Sequence, residues 1–165
     1  MHTELKELLN QQINKELYSA YLYMDIADYF ASEGLDGLEN HYRLQAQEEY
    51  QHAMRFVRYL IDNRQEVILE AIDKPLIEKT DYLQILQAIL QHEKYITDSI
   101  NNIYSTAIKL NDYRCRQMLD WFIAEQNEEE KSADDIITKM RLFGNSQQGL
   151  YSINNELKQE KHSDK

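Results

Sequence analysis

Apolar side chains recur along this chain at alternating intervals of three and four residues, the spacing that lines one face of a helix. The pattern predicts four long helices. The first, α1, covers about 4–33; Thr3 is placed to cap it, and Gly34 and Gly37 bracket the turn that follows. Its seam reads Leu9, Ile13, Glu16, Ala20, Tyr23, Ala27 and Phe30. Asp36 is placed to open α2, about 37–64, with the seam Leu38, Tyr42, Gln45, Glu49, His52, Phe56 and Leu60. Residues 65–79 contain Pro75 and keep no period, so a crossover connection is expected there. At about 3.3 Å per residue it can travel the length of a helix, by a path the pattern does not fix. Thr80 or Asp81 starts α3, about 81–110, with the seam Leu86, Ile89, Glu93, Ile96, Ile100, Ile103 and Ala107. Asn111 or Asp112 caps α4, about 112–143, whose seam is Cys115, Leu119, Phe122, Gln126, Glu129, Ala133, Ile136 and Met140, with Gly144 as its expected stop. A short α5, about 147–157, puts Leu150, Ile153 and Leu157 on one face and must dock on something, since so short a helix does not hold alone in water. The polar tail 159–165 is expected to be unstructured.

Each seam carries an ionisable or amide group where the face should be dry. Glu16 lies about eighteen residues before the first turn, and Glu49 and His52 about fifteen to eighteen after it, so at about 1.5 Å per residue they reach similar depth. Glu93 and the Gln126/Glu129 pair stand in the same relation to the turn between α3 and α4. The two hairpins also match at one separation, 77 residues (93 minus 16), which takes Glu16 to Glu93, Glu48 to Glu125, Glu49 to Gln126 and His52 to Glu129. This is an internal duplication. Four interior carboxylates (Glu16, Glu49, Glu93, Glu129) would each lose hydration, and no Lys or Arg lies on the seams to offset them. Two divalent cations would do so, and carboxylates with one imidazole suit iron or manganese better than zinc. Core glutamates that simply stay protonated explain one such residue more easily than four at matched depth.

Composition narrows the picture. One proline and four glycines in 165 residues, 42% of them hydrophobic, fit a single all-α domain, 1–165, with a substantial core. Eighteen basic residues against twenty-nine acidic ones give a net charge of -11, which argues against a nucleic-acid partner. That charge either keeps the protein in solution or attracts cations. Cys115 is the only cysteine, so no intrachain disulfide can form. The first ten residues lack the order of an export signal, and no apolar run is long enough for a bilayer. A cytoplasmic protein with no membrane partner is expected.

The segments NKELYSAYLY (14–23), QAQEEYQH (45–52), HEKYIT (92–97), EQNEEEK (125–131) and GLYSINNEL (149–157) look like those of bacterial non-haem ferritin, in the ferritin-like di-iron carboxylate family. The resemblance spans nearly the whole chain. It implies an all-α, ferritin-like four-helix bundle with one long crossover connection and a short fifth C-terminal helix. It implies iron storage by a ferroxidase, an oxidoreductase that oxidises Fe(II) with O2 or H2O2 and deposits ferric oxide inside a hollow homo-oligomeric shell, a 24-mer. By the same resemblance, Glu16, Glu49 and His52 hold the first iron, and Glu49, Glu93 and Glu129 the second, with Glu49 bridging. Gln126 stands beside the pair; Glu48, Glu125 and Glu128, sharing Glu129, match a third iron position; Tyr23 matches a tyrosine that can give up an electron. Gln126 and Glu129 replace the Glu-x-x-His of the symmetric template, which is the ferritin pattern. Tyr50 stands where bacterioferritin has its haem-ligating methionine, so no haem is expected.

Other readings stay open at this point. A rubrerythrin-like peroxidase would need an extra Cys-x-x-Cys pair, which one cysteine excludes; an oxygenase would need a larger chain with an apolar pocket; a purely structural bundle would need no metal. Trp121 is expected to pack near the centre, and Cys115 to be a small buried hydrophobe. His2, His41, His92 and His162 lie off the seams and are expected at the surface. Glu130 is expected on a solvated face, with Glu128 and Glu129 directed to the cavity and the bundle centre.

Overall fold

The computed structural model describes residues 1–161; His162 and the rest of the expected tail, 163–165, lie outside the described residues. Five helices follow one another: α1 Thr3–Ser32, α2 Asp36–Asp62, α3 Tyr82–Lys109, α4 Tyr113–Phe143 and α5 Gln147–Leu157. Among the described residues there is no strand, and no helix is long and apolar enough to cross a membrane.

Three of the long helices end by one device. Gly34, Arg64 and Asn111 take the left-handed conformation, at φ 75°, 55° and 56°, just past α1, α2 and α3. The next N–H then reaches back to a carbonyl of the last turn, as Leu35 does to Phe30 at 2.9 Å, Gln65 to Leu60 at 2.8 Å and Asp112 to Ala107 at 2.9 Å. Gly144 is not such a stop. α4 does end at Phe143 with Gly144 as its C-cap, as expected, but with a right-handed φ of −68° and its N–H on Met140; Ser146 then turns its hydroxyl to the N–H of Gly149 and opens α5. Two expected caps also differ. Thr3 and Asp36 are the first residues of their helices and cap neither, whereas Asp81 and Asp112 accept from the N–H groups of Gln84 and Cys115 as expected. Asp36 instead accepts from the Asn154 amide at 2.9 Å and from Lys158 at 2.6 Å.

α1 pairs with α2 and α3 with α4 as antiparallel hairpins. Cross-links between α1 and α3 (Gln12 with Ser99, Ser19 with His92) climb one helix while descending the other, so these two are also antiparallel. The connection between α2 and α3 must therefore run the length of the bundle. It follows α1 in parallel: Asn10 accepts from the Ile68 N–H at 2.7 Å, Asn14 donates to the Ala71 carbonyl at 3.1 Å, and Lys79 pairs with Asp25 at 2.6 Å.

Nearly every seam residue is buried; Gln45 is half-exposed and Ala46 takes its place in the core. The core is in two parts. At one end Ile26, Phe30, Leu38, Ile85 and Ile137 pack together, and at the other Leu5, Leu9, Phe56, Ile100 and Leu119, with the Phe56 and Phe122 rings stacked at 4.1 Å. The acidic seam positions lie between these parts.

α5 docks on its own chain: Ile153 and Leu157 are buried in the first part of the core and Leu150 packs against it. The partner that this face required is the chain's own bundle. The segment after α5 is also tied down, because Asn40 donates to the Leu157 and Glu160 carbonyls and His41 meets Glu160 at 2.6 Å. His41 is accordingly buried, against the expectation of a surface site. Gly37 makes the docking possible, since a Cβ there would stand 1.7 Å from the Asn154 carbonyl oxygen. Gly37→Ala is expected to loosen α5 at a cost of about 2 kcal/mol or more, seen as faster amide exchange over 150–157 with the four long helices still protected.

Candidate metal centre

The polar layer between the two core parts is assembled from all four long helices. Glu16, Glu49, His52, Glu93, Gln126 and Glu129 are each no more than 5% exposed, and Tyr23 is 1% exposed. Their ligand atoms gather in two groups sharing one imidazole. Glu16, Glu49 and His52 offer atoms all within 4.8 Å of one another, and so do His52, Glu125 and Glu129. The first group is the one expected for a first iron. The second is not the expected Glu49–Glu93–Glu129 set: Glu125, from the expected third position, joins Glu129, while Glu93, close enough for its charge to act on Glu49 and Glu129, is in neither group. Glu48 is half-buried beside the layer, where the Gln45 amide donates to it at 2.9 Å, and Glu128 is exposed.

Glu93 has both oxygens occupied. Tyr23 donates its hydroxyl to Oε1, and the Gln126 amide reaches Oε2 at 3.2 Å. Gln126 is held by Thr97, whose oxygen it meets at 3.3 Å, and Thr97 in turn donates to Glu130 at 2.6 Å. Glu130, expected to be merely solvated, is thus linked to the centre through Thr97. Glu16 accepts from the Gln12 amide at 2.8 Å on Oε1 alone. Three buried atoms of the layer, Glu16 Oε2, His52 Nδ1 and Glu129 Oε1, have no hydrogen-bond partner. Buried acceptors without donors are costly, and oxygen and imidazole atoms converging this way are the donor set of a hard divalent cation.

Aromatic rings enclose the layer. Trp121 meets His52 edge to face at 5.4 Å between centroids, as expected for a packing role, and the Arg55 guanidinium lies 3.7 Å over the Trp121 ring. His92 is half-buried rather than exposed. Its ring touches Tyr18, Tyr23 and Tyr95, meets Ser19 Oγ at 2.7 Å, and is pushed down to about 4 by burial. Cys115 is fully buried, and burial pushes its thiol up to about 12.

Gln12, Thr97 and Ser99 were missed on the sequence reading, which followed only the apolar seams. A signal existed for two of them. Gln12 lies four residues before Glu16 and Thr97 four after Glu93, the spacing at which helix side chains meet.

Without cations the layer prefers protons. Burial, then the charge of Glu49, holds the Glu16 carboxyl well above its usual range; burial, then Glu93 and Glu129, does the same for Glu49; and burial, then Glu93, pushes Glu129 up to about 8. Between the ordinary carboxyl value of 4.5 and about 8, the folded chain keeps a proton on Glu129 that the unfolded chain has released. Stability present below that window is therefore lost as pH rises through it. The metal-free protein is expected to melt at lower temperature at pH 8 than at pH 5, by on the order of a few kcal/mol in stability. Glu129→Gln is expected to flatten this slope in parallel melts, and an unchanged slope would contradict the assignment.

Comparison with known proteins points one way. Residues 6–143 match the family model for the ferritin-like domain. The chain is 36% identical over 154 residues to a bacterial non-heme ferritin of Escherichia coli O6:H1, covering 93% of each chain. It is 33% identical over 155 residues to one of Campylobacter jejuni, covering 94% of this chain and 93% of that one. A solved structure of Archaeoglobus fulgidus ferritin, engineered to a closed form, superposes with a TM-score of 0.96 at 37% identity over 99% of both chains. An open-pore ferritin structure from the same archaeon gives 0.95.

Proposed function

Because the chain belongs to the ferritin family, whose fold it shares along its whole length, we propose that it stores iron, and does so as a ferroxidase. The observation that carries the reading is the buried layer of carboxylates and one imidazole, with three acceptor atoms left unpartnered. Family and layer together support Fe(II) as substrate. In the proposed site Glu16, Glu49 and His52 hold one iron, and Glu49, Glu93 and Glu129 the second, with Glu125 near enough to His52 and Glu129 to take part.

Each Fe(II) gives one electron to dioxygen, which takes up two protons and leaves as hydrogen peroxide; with peroxide as oxidant, the same two electrons and two protons yield water. Anionic oxygen ligands stabilise Fe(III) more than Fe(II), so the layer makes oxidation downhill. Water is kept out by the apolar ends of the bundle. Tyr23 and Gln126 orient Glu93, and Trp121 and Phe122 hold the His52 ring on edge. Tyr23, hydrogen-bonded to Glu93, is placed to lend a further electron while its proton passes to that carboxylate. Glu48, Glu125 and Glu128 form the proposed path of a third iron toward the store.

Storage requires a container, and we read the protein as a homo-oligomeric shell, a 24-mer, in the cytoplasm, with a ferric oxide core and no haem. Exposed apolar side chains along α1 and the crossover (Tyr21, Met24, Leu69, Leu76) are what a subunit interface would cover. The net charge of -11, repeated over many copies, draws Fe(II) inward.

Glu49→Ala is expected to slow Fe(II) oxidation, followed by the rise of ferric absorbance, by more than about a hundredfold with assembly intact. Oxidation at the wild-type rate would refute the site. Native mass measurement with iron analysis tests the container: a large hollow particle that loads iron supports it, and a small particle that takes up none rejects it.

A further inference from the structure

Glu16 is oriented by a chain of polar groups that begins at a lysine. The Lys15 ammonium lies 2.6 Å from Ser99 Oγ, Ser99 Oγ lies 2.6 Å from Gln12 Oε1, and Gln12 Nε2 lies 2.8 Å from Glu16 Oε1. An ammonium only donates, so Ser99 accepts from Lys15 and gives its own proton to the next group. That group must accept, which turns the Gln12 carbonyl toward Ser99 and its NH2 toward Glu16. The amide has one orientation. Gln12 is fully buried, while Ser99 and Lys15 are half-buried.

The consequence falls on Glu16. One oxygen is held by the amide, while Oε2 is buried, unpartnered, and part of the group with Glu49 and His52. The other half of the bundle lacks the device: 77 residues on, Gln12 corresponds to Ile89, a buried apolar residue, and Glu93 has both oxygens engaged by Tyr23 and Gln126. A cation finds Glu16 Oε2 outside any hydrogen bond once the carboxyl has released its proton, whereas at Glu93 it meets two oxygens that each already accept one.

We propose that Gln12, set by Ser99 and Lys15, is a positioning residue for Glu16 that makes the Glu16–Glu49–His52 position the first of the centre to fill with a divalent cation. This rests on the reading of the layer as a metal centre. The test is titration of the metal-free protein with Co(II), excluding oxidant, following the affinity and the visible absorption of each bound ion. Gln12→Met is expected to weaken the first ion by about tenfold to a hundredfold, as for loss of a hydrogen bond to a charged group, and to leave the weaker ion unchanged. Ser99→Ala is expected to weaken the same ion several-fold, and Ser99→Thr, which keeps the hydroxyl, to restore it. If Gln12→Met does not assemble, the two Ser99 variants decide. Wild-type affinity for the first ion in Gln12→Met and Ser99→Ala, or equal weakening of all ions, overturns the proposal. Glu49→Ala separates the two levels: if it loses the first ion while the Gln12 and Ser99 variants do not, positioning alone is wrong. If Glu49→Ala also binds Co(II) as wild type does, the metal centre falls, and this inference with it.

Discussion

Burying four carboxylates and an imidazole in one layer is the constraint on which this structure turns. Unpaired charge in a low-dielectric interior costs more than the surrounding apolar contacts can return, so the layer must be protonated, hydrogen-bonded or neutralised by cations. All three remedies can be read in the protein. Burial and mutual repulsion raise the carboxyl groups of Glu16, Glu49 and Glu129; Gln12, Tyr23 and Gln126 donate to Glu16 and Glu93; and three acceptors are left over. The two apolar ends of the bundle supply the burial that keeps the layer together, at Phe30 and Leu38 on one side and Phe56 and Phe122 on the other.

The layer is a repeat with unequal halves. The two hairpins offer the same frame, but Gln126 stands where Glu49 does and Glu129 where His52 does, and the equivalent glutamates Glu16 and Glu93 are oriented by different neighbours. A site that must both take in and hand on its substrate gains from that inequality. Identical halves would hold both ions equally firmly. Here one glutamate has an oxygen outside any hydrogen bond and the other has both oxygens hydrogen-bonded, so the two positions differ before any ion arrives.

Much of this was legible along the chain. Every seam position but Gln45 is buried, and distance from the two turns put Glu16, Glu49, Glu93 and Glu129 at one depth. Helical periodicity is a local property, and burial follows from it once the helices are known to pack. What was misjudged depended on partners from other helices. His92 and His41 lie off the seams, yet the first is half-buried against Ser19 and three tyrosines and the second is buried beneath the segment after α5. Gly144 ends α4 where expected, but in a right-handed conformation unlike the other three stops, with Ser146 opening α5 two residues on.

The sequence by itself determined the number and length of the helices, the face each buries and the residues able to bind a cation, since these follow from spacing at 3.6 residues per turn. Only the tertiary structure decided which ligand atoms meet: that His52 serves two groups, that Glu125 joins Glu129 while Glu93 turns to Tyr23 and Gln126, and that Lys15 sets Gln12 through Ser99. The reason is one of scale. Periodicity fixes a side chain's direction to within a face of the helix, whereas a hydrogen bond or a coordination site is decided within a few tenths of an ångström by groups distant in the chain.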